Sequence, residues 1–153
     1  MEIRKFAETD SASVKKLILS ILQEEYPFDR KAYPDTDIEN VAVNYGGPGD
    51  TFFVVENKGA IIATAGVKGD SRDTALLRRV FVKPSERKKG YASQLLKEAV
   101  KFAKDAGYKE LVFRTTSKMT QAIALCQKHG FREAEKIDLG GFFIHKFSLK
   151  LST

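Results

Sequence analysis

The sequence predicts an α/β fold: one mixed sheet with helices on both faces. Three observations point there. Short runs rich in branched and aromatic residues are set off by turn chemistry, as strands are. Between the later ones lie segments whose apolar residues recur every three or four positions, the helical period. Runs of strands followed by strand–helix alternation imply a mixed sheet with helices on both faces. The chain has 153 residues, 42% hydrophobic and 30% charged, enough for one buried core. It reads as a single domain over 1–153, in the order βααβββαβαββ.

Taken in order, Glu2 to Phe6 is the first strand, and Thr9 or Asp10 offers a side-chain cap to the first helix. Val14, Leu17, Ile18, Ile21 and Leu22 give that helix an apolar stripe through about Glu25. Tyr26 to Pro34 is irregular, because Pro27 and Pro34 oppose regular structure. A shorter helix starts near Thr36, with Ile38, Val41, Ala42 and Tyr45 on one face. Gly46 to Asp50 is a turn whose spacing fits neither glycine-rich phosphate motif. Thr51–Glu56 and Ala60–Lys68 form a hairpin across Asn57-Lys58-Gly59. A polar loop over Gly69–Thr74 leads into a central strand, Ala75–Val82, which Pro84 ends.

From Tyr91 the period turns helical, with Leu95, Leu96, Ala99, Phe102, Ala103 and Ala106 on one face and Gly107 as the stop. Glu110–Arg114 is a buried strand and Met119–His129 a helix ended by Gly130. Phe131–Ile137 and Phe142–Leu149 are the last strands, separated by Gly140-Gly141.

Composition narrows the function classes. No apolar run approaches the length needed to span a bilayer, and the N-terminus carries no apolar leader, so no membrane partner is expected. A lone cysteine cannot form an internal disulfide, which fits a cytoplasmic setting. Two histidines and one cysteine leave no set for a dedicated metal site, so no metal is expected. The net charge of +6 is compatible with nucleic acid or with an anionic cofactor. Its tightest cluster, Arg87-Lys88-Lys89 with Arg78, Arg79 and Lys83 upstream, is local. A nucleic-acid binder more often carries a long basic stripe, so nucleic acid is not the expected partner.

That cluster sits where strand passes to helix. The first backbone N–H groups of a helix lack partners and its dipole is positive there. Gly90 removes the Cβ from the approach. The turn therefore suits a pyrophosphate.

Arg87-Lys88-Lys89-Gly90-Tyr91-Ala92 resembles the [Gln/Arg]-x-x-Gly-x-[Gly/Ala] signature of the GCN5-related N-acetyltransferases, the GNAT superfamily. Ala122 to Phe131 resembles the later Ala-x-x-x-Tyr-x-x-x-Gly-Phe block of the same superfamily. The resemblance runs from Phe6 to the last strand and is strongest from Leu76 to Phe131.

It implies acetyl-CoA as co-substrate and direct acetyl transfer to a primary amine of a small molecule or peptide, in a ternary complex. It also implies a bulge near Val80, Phe81 and Val82, whose backbone groups pair with the pantetheine arm. Arg87, Lys88, Lys89, Gly90, Tyr91 and Ala92 then hold the pyrophosphate by main-chain N–H groups. Late strands that pair between copies make a homodimer possible in such a family.

Three positions depart from the superfamily pattern. The tyrosine that serves as general acid is Cys126 here, the earlier asparagine is Met119, and the strand acid is Leu76. Cys126 is thus the catalytic candidate, with water or a simple buried thiol as the alternatives. Candidate bases are Glu24, Glu25, Asp29, Asp35, Asp37, Asp73 and His145, while Tyr26, Tyr33 and Tyr45 are candidates to line an acceptor pocket. Competing readings are a non-catalytic acyl-CoA-binding module and a surface for RNA or protein. A Cys126–His129 hydrolase pair lacks the third, orienting group such chemistry needs.

Overall fold

The computed structural model describes residues 2–25, 36–116, 119–140 and 143–151. Its strands are β1 (Glu2–Lys5), β2 (Thr51–Asn57), β3 (Ala60–Gly69), β4 (Thr74–Val82), β5 (Glu110–Thr116), β6 (Arg132–Asp138) and β7 (Phe143–Lys150). Its helices are α1 (Ser11–Glu25), α2 (Thr36–Glu39), α3 (Val41–Asn44), α4 (Tyr91–Asp105) and α5 (Thr120–Lys128). The strands form one sheet in the order β1-β2-β3-β4-β5-β7-β6. Only β4 and β5 run parallel; every other neighbouring pair is antiparallel.

Alternation along β2 shows how the helices divide. Phe52 and Val54 pack with Val14, Ile18 and Leu22 of α1 and with Ile38 and Val41, on what we call the first face. Phe53 and Val55 point the other way, to Leu95 of α4. On that second face Leu96, Ala99 and Ala103 of α4 share a core with Leu77, Leu111, Phe113 and Cys126. Leu95 and Leu96 are fully buried, worth about 2 kcal/mol each in apolar burial. Helices on both faces match the expected class.

Local chemistry explains most boundaries. The β2–β3 hairpin turns on Lys58 (φ 52°) and Gly59 (φ 80°), both left-handed, the geometry whose twist suits a two-residue turn. Four details differ from the sequence expectations. The helix starting at Thr36 is two four-residue helices. They break at Asn40, whose side chain accepts the Val43 N–H at 3.2 Å and so caps the second. Asp10 does not cap α1. Its carboxylate accepts the Ala7 N–H at 2.8 Å and two Arg4 nitrogens at 2.7 and 2.9 Å, a stronger charge-assisted set that ties β1 to the start of the helix. Ala106 lies past the end of α4, exposed, where Gly107 at φ 91° turns the chain away. The irregular segment expected over Tyr26 to Pro34, like Phe142 and Gly141, lies outside the described residues.

The fourth detail positions the site. Thr64 faces Phe81 and Gly66 faces Arg78, so Ala65 alone opposes both Arg79 and Val80. This is a β-bulge, one step earlier than the expected Val80–Val82, with Arg79 left-handed at φ 57°. The β4–β5 ladder runs from Thr74–Glu110 to Leu77–Phe113 and stops there. Beyond it β4 follows β3 to Val82, while β5 follows β7 to Thr116. The two central strands part, and a wedge opens between them.

Candidate functional site

The turn after β4 is built as an anion cradle. Pro84 starts a short 3-10 turn over Pro84–Glu86, after which Lys88 (φ 65°) and Gly90 (φ 89°) both adopt left-handed backbone. Alternating hands of this kind curl successive N–H groups toward a common point. Gly90 is the N-cap of the fifteen-residue α4 and carries no side-chain cap. The orphan N–H groups of the first turn of α4 are therefore left for an external acceptor. A Cβ built on Gly90 would meet no protein atom within 4 Å, so the space above it is open.

A cavity of about 720 Å³ runs from this cradle. Arg87, Lys88, Gly90, Tyr91, Ala92 and Ser93 line its outer part. Val80, Phe81 and Val82 of β4 form one wall, and α5 from Gln121 to Lys128 the other. Ile21 of α1 and Met119 also line it. Of the expected binding residues, all but Lys89 line this cavity; Lys89 instead pairs with Glu86 at 2.8 Å. The Phe81 ring is 7% exposed and belongs to the first-face core.

Two arginines flank this part of β4 in different settings. Arg87 makes a two-pronged pair with Glu25 at the end of α1, both contacts at 2.7 Å, and its Nε donates to the Val82 carbonyl at 3.1 Å. Arg79 is 6% exposed and reaches into the first-face core. There its Nε and Nη2 donate to Asp37 at 3.0 and 2.5 Å, and the Tyr45 hydroxyl donates to the same carboxylate at 2.5 Å. Burial pushes Asp37 up, but the Arg79 and Tyr45 hydrogen bonds and the charge of Arg78 outweigh it, and its carboxyl titrates below the usual range. Burial, with Asp37 beside it, raises the Tyr45 hydroxyl.

Cys126 does not line the cavity. It is 1% exposed, inside the second-face core, and burial pushes its thiol up to about 12. Its helical neighbour His129 bonds Ser93 of α4 through Nε2 at 3.0 Å. Burial, then Lys128 and Lys97, lower that imidazole.

Among the base candidates, Asp37 and Glu25 are held by arginines, and His145 on β7 pairs with Glu133 of β6. Glu24 and Asp73 are exposed and do not line the cavity. Asp29, Asp35, Tyr26 and Tyr33 lie outside the described residues. Leu76 and Met119, the other departures, are respectively half-buried on β4 and a cavity wall. Sequence reasoning missed the Arg79–Asp37–Tyr45 group and the closing of Arg87 onto Glu25. Both depend on contacts more than forty residues apart. Among the described residues no cluster of three metal-ligating side chains occurs, and no helix is long and apolar enough to cross a membrane.

Known proteins resemble this chain in sequence and in fold. A protein from Escherichia coli K12 described as the uncharacterized N-acetyltransferase YjgM is 26% identical over 138 residues, covering 87% of this chain and 83% of its own. A GNAT-family acetyltransferase from Staphylococcus aureus Mu50 superposes with a TM-score of 0.86 at 21% identity, over 99% of both chains. The structure of yncA, a putative acetyltransferase from Salmonella typhimurium with its cofactor acetyl-CoA, gives 0.79 at 21% identity, over 99% of this chain and 94% of that one. The sequence model of the Acetyltransferase (GNAT) family matches residues 16–131, which takes in most of α1, all of α5 and every residue that lines the cavity. The chain belongs to the GNAT family of acetyltransferases.

Proposed function

We propose that the protein transfers an acetyl group from acetyl-CoA to a primary amine by direct attack, with both substrates bound at once. The observation that carries this reading is the continuity of one cavity, from a cradle of main-chain N–H groups to the open edge of β4. The residues fit the co-substrate. The Lys88–Ser93 backbone suits a pyrophosphate, with Lys88 and Lys128 adding charge at the walls. Beyond Leu77 the side of β4 that faced β5 has left the ladder, so its backbone groups are available to an amide-bearing chain laid along it, as in strand addition.

Acetyl-CoA supplies the acetyl group as a thioester. The amine nitrogen bonds the carbonyl carbon as the C–S bond breaks, the amine gives up a proton, and the sulfur takes one. This chain's part is to hold the donor against β4, keep the wedge open for the amine, and aim backbone N–H groups where negative charge develops. The amine attacks only when neutral. With Glu25 and Asp37 held by arginines, we assign proton removal to water in the open cleft. The log of kcat/KM should then rise with pH, one unit per unit, up to the acceptor's own pKa. A plateau set below that pKa would reveal a protein base.

For Cys126 we propose a packing role in the core. A cytoplasmic setting accords with its single free thiol. The exposed edge strand β6 could offer its unpaired groups to a second copy. The test of the transfer itself is release of CoA thiol from acetyl-CoA over a broad amine panel. Release above background is expected with at least one amine, and none across the panel would refute the reading.

A further inference from the structure

The bulge sends two consecutive arginines to the same side of the sheet. Arg79 bonds Asp37 in the first-face core. Arg78 is paired in register with Gly66, and a Cβ on that glycine would come within 2.9 Å of the Tyr45 ring. Arg78 therefore also rises from the first face, and its charge acts on both Asp37 and Tyr45. It is half-buried, yet its guanidinium makes no hydrogen bond among the described residues. Asp37, on which its charge acts, already accepts from Arg79 twice and from Tyr45. Lys68, facing Leu76 two pairs away, is committed to the Asn44 carbonyl and to Asp50.

Arg78 also stands where the β4–β5 ladder has just ended at Leu77. Across the wedge, β5 presents Arg114 on this same face, two residues from Val112 and four from Glu110, which bonds Thr74 of β4. Lys146 of β7 is paired directly with Arg114, about 4.8 Å away across the sheet. Neither has an ion pair among the described residues; Glu135, opposite Lys146 on the edge strand, is the one carboxylate in the row. A guanidinium with five donors, half withdrawn from water, is a fork awaiting a planar anion.

Resting on the transferase reading, we infer that Arg78 is a specificity-determining residue that binds a carboxylate of the acceptor. The acceptor class is then a small amine carrying a carboxylate, the chemistry of an α-amino acid. Arg114 and Lys146 add a weaker field that draws the anion into the wedge.

The test compares each of the nineteen standard amino acids that carry a primary α-amine with its own carboxamide as acceptor. CoA release is followed, and kcat/KM is expressed per neutral amine. At least one acid should exceed its amide by about tenfold or more, the worth of a charge-assisted fork. Arg78→Gln should raise KM for the acid more than it lowers kcat, and bring the ratio toward one. Lys146→Gln should lower the ratio less. Thermal melts of both variants separate loss of recognition from loss of fold. Amides that equal or beat the acids overturn the inference, as does a ratio unchanged in Arg78→Gln. Turnover of uncharged amines or peptides but of no amino acid overturns it and leaves the transferase reading intact. Silence toward every amine overturns both.

Discussion

Arg79–Asp37 and Arg87–Glu25 are the same kind of ion pair, arginine with a carboxylate, in two solvents. The first has side-chain exposures of 3% and 7% and is completed by Tyr45; the second stands at 25% and 27%. Both join β4 or the turn after it to the helices of the first face. Burial makes the first an obligatory fixture, since neither charge can be left alone in the core. Water around the second makes it replaceable, since either partner can be rehydrated at little cost. The fixed pair holds the bulge that opens the wedge, and the replaceable one borders the cradle where an anion would compete for Arg87.

The largest effect should come from breaking the fixed pair. Asp37→Asn leaves the Arg79 charge buried without its counterion and should cost about 3–5 kcal/mol near pH 7 in a denaturant titration. The sign with pH follows from the depressed carboxyl of Asp37. Its contribution is complete above the ordinary carboxylate pKa of about 3.9 and is lost as pH falls through the lower folded value. The gap between the two proteins should therefore narrow below about pH 4. A gap constant with pH would place the energy in shape, not charge.

A smaller effect is expected at Cys126, buried like Asp37 but neutral. Cys126→Ala should cost about 1 kcal/mol through lost packing and leave turnover at the wild-type level. A large fall in kcat with unchanged cofactor affinity would instead restore the thiol as general acid. The smallest effect belongs to the replaceable pair. Glu25→Gln should cost under about 1 kcal/mol, and that difference should shrink in 1 M salt, where the screening length is about 3 Å. A cost that persists in high salt would make this pair as structural as the first.

Much of this molecule is legible in its residues. The stripe from Val14 to Leu22 and the spacing of Leu95, Leu96, Ala99 and Ala103 place α1 and α4, because tertiary burial agrees with local period. Gly59 and Gly90 announce their left-handed backbone. Arg79 does not, since arginine has no preference for φ 57°; a register mismatch with β3, sealed by Asp37 and Tyr45, imposes it. The break at Asn40 was readable in principle, since asparagine favours caps, but Ile38, Val41 and Tyr45 keep an apolar period across it. Cys126 occupies the motif position for a catalytic side chain, yet it turns into the core. A motif position gives the residue but not the direction its side chain takes.

The central claim, that the cavity between β4 and α5 receives acetyl-CoA, is tested most directly by melting the protein with acetyl-CoA and, separately, with ADP. At about a hundred times its dissociation constant a ligand stabilises by roughly 2.7 kcal/mol, a rise of several degrees. We expect acetyl-CoA to raise the melting temperature more than ADP at the same concentration, because only acetyl-CoA has an arm to lay along β4. Equal shifts would confine binding to the cradle, and no shift would contradict the claim.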